Sequence, residues 1–238
     1  MIDKRYADAA LVVADIGDGA TILIGGFGEA GNPTELVHAL IDQGARDLTI
    51  ISNNAGNGDI GLARLIALGR ARKMICSYPR SSHGHAFAEA YRAGKIELEI
   101  VPQGTLAERI RAGGAGIPAF YTATGADTEL ATAKEQRMFG SRAYVLETSI
   151  RADFALIKAE VADRWGNLIY RMAARNFGPI MATAAKVTIA QVRRTIELGA
   201  MDPETIVTPS IFVHRVITVP DPISEREHLT TLQPAQSS

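Results

Sequence analysis

Thiols are almost absent from this chain. Cys76 is the single cysteine in 238 residues, so no internal disulfide can form and a zinc–cysteine scaffold is excluded. Neither sign of charge is in surplus: 25 basic and 26 acidic residues leave a net charge of −1. A dedicated nucleic-acid binder needs a basic excess to neutralise phosphates, and that excess is missing. No run approaches the roughly 18 apolar residues that a spanning helix requires. The N-terminal Met1-Ile2-Asp3-Lys4-Arg5-Tyr6 also lacks the apolar stretch of a signal peptide. These absences predict a cytoplasmic chain with neither nucleic acid nor membrane as partner. Widespread disorder is excluded as well, because 47% of the residues are apolar and the charges balance.

Glycine is what the chain has in excess, 22 of 238 residues, or about 9% against an average of about 7%. The glycines collect at Gly25-Gly26-Phe27-Gly28, Gly31, Gly56, Gly58, Gly61, Gly113-Gly114 and Gly116. Backbone is being brought close to something at these places.

The first two-thirds alternates extended and helical patterns. Thr21-Ile22-Leu23-Ile24, Leu48-Thr49-Ile50-Ile51 and Lys73-Met74-Ile75-Cys76 are short apolar runs, the pattern of parallel strands buried on both faces. Residues 96–101 alternate Ile96, Leu98 and Ile100 with Glu97 and Glu99, which predicts a half-exposed or edge strand. Helices are expected over residues 4–15, after an Asn32 cap with Pro33 as first helical residue, and over 60–68, 85–93 and 106–112, the last closed by Gly113-Gly114. Further strands are expected at residues 144–146, 154–157, 187–190 and 211–213. Residues 122–140 read as a mobile surface segment. Strands separated by helices at this spacing predict an α/β fold, an open, mostly parallel sheet with flanking helices. One domain is expected over residues 1–220, followed by an extended or disordered tail, 221–238.

Gly26-Phe27-Gly28-Glu29-Ala30-Gly31 spells G-x-G-x-x-G between a strand and a helix, a dinucleotide-type loop whose bare N–H groups suit any phosphate or carboxylate. The ribose-binding acid that should follow the next strand is missing, since that strand ends Ser52-Asn53-Asn54 and Asp47 precedes it. A stand-alone nucleotide-binding α/β module remains the reading from another class.

The wider segment from Asp18-Gly19 through Gly25-Gly26-Phe27-Gly28 to Gly31-Asn32-Pro33 resembles the signature of the family I coenzyme A transferases. Four more blocks agree with the family's first, or A, subunit: Ser52-Asn53-Asn54-Ala55-Gly56, Pro102-Gln103-Gly104-Thr105-Leu106-Ala107-Glu108-Arg109, Ala162-Asp163-Arg164-Trp165-Gly166-Asn167-Leu168 and Ala173-Ala174-Arg175-Asn176-Phe177. Together they span nearly the whole chain, in the family's order.

The resemblance implies an enzyme that transfers coenzyme A between carboxylates through covalent catalysis, with coenzyme A as substrate and no permanently bound cofactor. A glutamate carboxylate attacks the acyl-CoA carbonyl and forms an anhydride, and the released thiolate turns this into a glutamyl-CoA thioester. The family's nucleophile lies in a Ser-Glu-Asn-Gly-type motif of its second half, and this sequence contains no Glu-Asn-Gly. The resemblance therefore implies a partner B subunit that carries the catalytic glutamate, with an acyl-CoA and a 3-oxoacid as the other ligands.

On this chain the matching glutamine, Gln103, becomes the oxyanion donor; a loop glutamine capping the next helix is the other reading. Asn53 and Asn54 are expected to line the acyl or CoA site, or else to form an asparagine turn. Gly25, Gly26, Phe27, Gly28 and Gly31, with Gly113 and Gly114, are expected to bring backbone near the thioester, with plain tight turns as the alternative. Asn57-Gly58 and Ser77-Tyr78-Pro79-Arg80 look most like the enzymes acting on 3-oxoadipate, while residues 106–121 look equally like the acetoacetate type. Arg80, at a strand end, is placed to hold a second substrate carboxylate or to make a surface ion pair. His83 and His85 lack a third ligand cluster, so no metal is expected. Cys76 reads as a core thiol.

Overall fold

The structure is a computed structural model that describes residues 2–79 and 83–232. The strands of its main sheet are β1 (Arg5–Tyr6), β2 (Thr21–Ile24), β3 (Leu48–Ile51), β4 (Ala71–Cys76), β5 (Glu97–Ile100), β9 (Ala152–Asp163), β10 (Leu168–Ile169), β11 (Ala185–Ile196) and β12 (Arg215–Thr218). They lie in the order β1-β12-β11-β9-β2-β3-β4-β5, with β10 paired to β9. All pairs along that path are parallel, and the β10–β9 pair is antiparallel. A second sheet is built from β6 (Ala119–Thr122), β7 (Gln136–Phe139) and β8 (Arg142–Thr148), antiparallel in the order β6-β8-β7. The helices are α1 (Ala9–Val13), α2 (Thr34–Gln43), α3 (Gly61–Ala67), α4 (His85–Arg92), α5 (Gln103–Gly114), α6 (Gly178–Thr183) and α7 (Glu225–Leu232).

The continuous apolar runs have a direct physical cause. Ile22 and Ile24 face one core with Leu36 and Leu40 of α2 and Leu65 of α3. Leu23 faces the opposite core with Leu106 and Ile110 of α5 and Met181 of α6. Ile50 and Ile51, and Met74 and Ile75, divide in the same way. With period-two alternation and helices on both faces, consecutive residues of the buried part of such a strand are all apolar, and Thr21, Thr49, Arg72 and Lys73 stand where burial is incomplete. β5 is an edge strand, which accounts for its alternating glutamates.

Several segments differ from their expected form. The helical pattern of residues 4–15 yields only the five residues of α1, because Arg5–Tyr6 pairs with β12 and Asp8 caps the helix by accepting the Ala10 amide at 2.8 Å. Pro33, not Asn32, stands at the cap of α2; the Asn32 side-chain amide donates instead to the Gly28 carbonyl and to Glu225. The strand expected at 211–213 is a 3₁₀ turn, Ser210–Phe212, held by Asn167 Oδ1, which accepts the Ser210 amide at 2.9 Å. The strand forms just after it, as β12. Residues 122–140 are built into the small sheet through β7 and hold a further 3₁₀ turn, Glu129–Ala131. The tail from 221, expected to be extended or disordered, folds back on the body and forms α7; residues 233–238 lie outside the described residues.

Gly113 and Gly114 do not terminate α5, which runs through them. A Cβ on Gly113 would stand 1.9 Å from the Ile150 carbonyl oxygen, and one on Gly114 would stand 2.0 Å from Thr183 Oγ1. The pair lets α5 pack directly against the chain leading into β9 and against α6. Gly113→Ala must displace backbone at Ile150, and is expected to lower unfolding free energy by about 3 kcal/mol. A urea titration checks this; an unchanged midpoint would show that the close approach is not required.

Candidate active site

Parallel strands can offer ligand-facing groups at their carboxyl ends, above all where the chain order reverses. Here β2 is followed on one side by β3, β4 and β5, and flanked on the other by β9, so the reversal lies between β2 and β9. The glycine loop leaves β2 at this point, Ser52-Asn53-Asn54 leaves β3, Ser77-Tyr78 leaves β4, and Pro102-Gln103 leaves β5.

Three of these strand ends are joined by side chains. Asn53 is 4% exposed; its Oδ1 accepts from Ser77 Oγ at 2.7 Å and from Gln103 Nε2 at 2.8 Å. The Asn53 carbonyl accepts from the Ser77 and Tyr78 amides. Gln103 itself is exposed and is the first residue of α5. A buried asparagine thus orients the side-chain amide of an exposed glutamine. Ser77, singled out in the sequence only as part of a substrate-type block, belongs to this set. Its signal was positional: it follows β4 as Asn53 follows β3.

Asn54 is occupied differently. Its Oδ1 accepts the Gly56 amide at 2.9 Å, making an Asx turn, and its Nδ2 donates to the Gly28 carbonyl at 3.4 Å. The glycine loop closes on itself through paired backbone bonds between Phe27 and Ala30, with Phe27 exposed at the surface. Asn176 Nδ2 donates to the Ala30 carbonyl at 2.9 Å, so the first and last of the five sequence blocks meet in space. At Gly26, φ is +131° and a Cβ would stand 1.8 Å from Asn32 Oδ1. Gly25 and Gly31 pack against β9 backbone and Ala174 respectively, while Gly28 faces open space. Gly113 and Gly114 are engaged in the helix packing described above and do not join this set. Arg80 lies outside the described residues.

The Asp163 block forms the β9–β10 turn: Asp163 accepts from the Trp165 and Asn167 amides and from Asn167 Nδ2. Burial pushes the Cys76 thiol up to about 12, which leaves no thiolate for nucleophilic work at neutral pH. Among the described residues no group of three or more His, Cys, Asp or Glu is placed to hold a metal, and no helix is long and apolar enough to cross a membrane.

Charge near Gln103 is neutralised from below. Glu99, on β5, accepts from Lys73 Nζ at 2.7 Å and from Arg109 Nη1 at 2.9 Å, and the Arg109 Nε donates to the Thr148 carbonyl at 2.7 Å. Arg109 sits on α5 and is 8% exposed, so the network fixes the helix that begins with Gln103. Burial pushes the Glu99 carboxyl up, but the hydrogen bonds from Lys73 and Arg109 outweigh it and hold it below the ordinary glutamate value.

Known proteins resemble this chain along nearly all of its length. The family model described as coenzyme A transferase matches residues 6–218. The A subunit of the 3-oxoadipate CoA-transferase of Pseudomonas putida is 63% identical over 219 residues, covering 92% of this chain and 95% of that protein. The A subunit of the succinyl-CoA:3-ketoacid coenzyme A transferase of Xanthomonas campestris is 50% identical over 231 residues, covering 97% and 95%. A crystal structure of an acyl-CoA transferase from E. coli O157:H7, as its thioester complex with CoA, superposes with a TM-score of 0.82 at 22% identity. It covers 94% of this chain, which spans about half (51%) of that longer chain.

Because its folded pKa is depressed, Glu99 contributes stability that is present above its unfolded pKa of about 4.3 and is lost as pH falls through the lower folded value. Glu99→Gln should therefore lower the urea midpoint at pH 7, and the gap to the unsubstituted chain should narrow as pH falls below about 4.3. A gap that stays constant with pH would rule out the ion-pair account. With the family match over residues 6–218 and 63% identity over 92% of its length to an A subunit of that family, this chain belongs to the coenzyme A transferase family.

Proposed function

We propose that this chain is the A subunit of an enzyme that moves coenzyme A from succinyl-CoA to a 3-oxoacid, with 3-oxoadipate preferred over acetoacetate. The observation that carries the reading is the 63% identity, over 92% of the chain, with the A subunit of a 3-oxoadipate CoA-transferase. The partner is a B subunit that supplies the nucleophilic glutamate, and coenzyme A enters as substrate. The same reading puts the enzyme in the cytoplasm.

The chemistry explains why one exposed amide matters. The partner's glutamate carboxylate attacks the thioester carbonyl of succinyl-CoA, and the carbonyl oxygen becomes an oxyanion. Collapse expels the CoA thiolate and leaves a mixed anhydride. The thiolate then attacks the glutamyl carbonyl and releases succinate, which creates the glutamyl-CoA thioester. The 3-oxoacid carboxylate attacks that thioester, and the same steps run in reverse to give 3-oxoacyl-CoA and free glutamate. Every step passes through an oxyanion, which a preorganised donor stabilises without reorganising at the moment of reaction. In this reading Gln103 is that donor. Asn53 and Ser77 hold it in orientation, and the loop over residues 25–31 and Asn54 form the wall of the acyl–CoA cleft. A neutral donor suits the task, since it lowers the oxyanion without forming an ion pair with the attacking carboxylate.

Purified alone, the chain should exchange no coenzyme A between succinate and 3-oxoadipate, and mixing with a B-type subunit should restore exchange. In the assembled enzyme Gln103→Ala should lower kcat by about 10²-fold or more, the usual loss for one oxyanion donor. An unchanged rate removes Gln103 from the mechanism. Tight NAD binding, with no transfer in the presence of any B-type partner, overturns the reading as a whole.

A further inference from the structure

Glu225 is a carboxylate in an unusual position. It lies on α7, in the segment that folds back over the body, and is 6% exposed. Its two oxygens are met by uncharged donors: Asn32 Nδ2 reaches Oε2 at 2.6 Å, and Thr34 Oγ1 reaches Oε1 at 2.7 Å. Burial pushes the carboxyl up from the ordinary glutamate value, against the lowering effect of those two hydrogen bonds. Among the described side chains of this polar helix Leu229 is the buried apolar one, and burying a glutamate adds no apolar contact to it. Burying a carboxylate against neutral donors is costly. Such a local conflict with the rest of the fold marks a functional position.

The position is the strand-end cleft itself. Asn32 also donates to the Gly28 carbonyl at 3.2 Å, the same oxygen that Asn54 reaches. A small cavity between the β2 and β3 ends is lined by Gly25, Asn32, Thr34, Ser52, Asn54 and Glu225. On its other side Glu225 borders a cavity of about 540 Å³ at the β2–β9 reversal, of mixed charge, where Lys158, Arg171, Arg193 and Arg226 stand among Glu29, Glu160, Asp221 and Glu227. The segment bearing Glu225 is held by polar contacts that can be exchanged for water: the Ile223 amide donates to Glu35 at 2.5 Å, Arg193 Nε donates to the Pro220 carbonyl at 3.1 Å, and His228 bonds Asp59 at 2.6 Å.

We propose that Asn32 and Thr34 form a carboxylate subsite of the cleft, and that Glu225 occupies it as an internal stand-in which the carboxylate of an acid ligand displaces. The identity of that ligand as the substrate acid rests on the CoA-transfer reading; the existence of the subsite does not. An internal carboxylate tethered near its cradle competes at high effective concentration, and it lowers apparent affinity for the free acid by the fraction of chains in which the cradle is filled.

The test is succinate titrated into the full chain by calorimetry, then KM for succinate in the enzyme assembled with a B-type subunit. Glu225→Ala should tighten succinate binding by about 10-fold, because the competitor is gone. Thr34→Val should weaken it several-fold, and Thr34→Ser, which keeps the hydroxyl, should bind like the unsubstituted chain. The opposite signs are decisive. If the cradle merely latches the helix, Glu225→Ala and Thr34→Val both release α7 and shift affinity in the same direction. That result, or no succinate binding by any form of the full chain, overturns the proposal. Succinate binding with these signs but no CoA exchange with any B-type partner would retain the subsite and defeat the transfer reading. Normal exchange with affinity unmoved by Glu225→Ala would do the reverse.

Discussion

Because helices cover both faces of the main sheet, the buried stretches Ile22–Ile24 of β2, Ile50–Ile51 of β3 and Met74–Cys76 of β4 are apolar, and the polar groups that meet at the cleft follow where these strands stop. Everything else in the molecule follows from that constraint. Ile22, Leu23 and Ile24 are divided between two cores, and the residues just past the strands then change character abruptly, to Gly25, Ser52, Asn53, Ser77 and Gln103. The Asn53–Ser77–Gln103 hydrogen bonds need the register of three adjacent parallel strands to be correct. Stability of the sheet and geometry of the cleft are therefore the same property. The Glu99–Arg109 pair extends this link from the edge strand to the helix that carries Gln103.

The strands were readable in the sequence because burial on both faces leaves a four-residue apolar run that few other structures need. The edge position of β5 was readable for the complementary reason, its glutamates alternating with Leu98 and Ile100. Other features depended on partners far along the chain. Residues 211–213 carry a β-branched and aromatic composition, yet Pro209 and the Asn167 side chain turn them into a 3₁₀ segment, and pairing begins only at Arg215. Gly113 and Gly114 look like a helix stop until Ile150 and Thr183 are placed against them. The α7 segment, with its polar composition and two prolines, reads as a loose tail. Its anchors, Asn32 and Thr34, lie 193 and 191 residues before Glu225, and no local pattern announces them.

The cleft shows the same division. Gln103 and Asn53 were recognisable from the family-like blocks, and the structure adds that a single hydrogen bond joins them. Ser77 emerges only when the strands are aligned side by side. The glycines separate by cause: Gly26 and Gly31 serve the closure of their own loop against Asn32 and Ala174, Gly113 and Gly114 serve helix packing, and Gly28 opens toward solvent. An excess of one residue type thus reflects three different demands: loop closure, helix packing and an open loop position.

The central claim is that this chain provides the electrophilic half of a transferase, while the carboxylate that forms covalent intermediates is borne by another chain. Mass spectrometry of the assembled enzyme after brief incubation with succinyl-CoA tests it most directly. The account predicts a CoA adduct on a glutamate of the B-type partner and an unmodified mass for this chain. An adduct on any glutamate of this chain would contradict it.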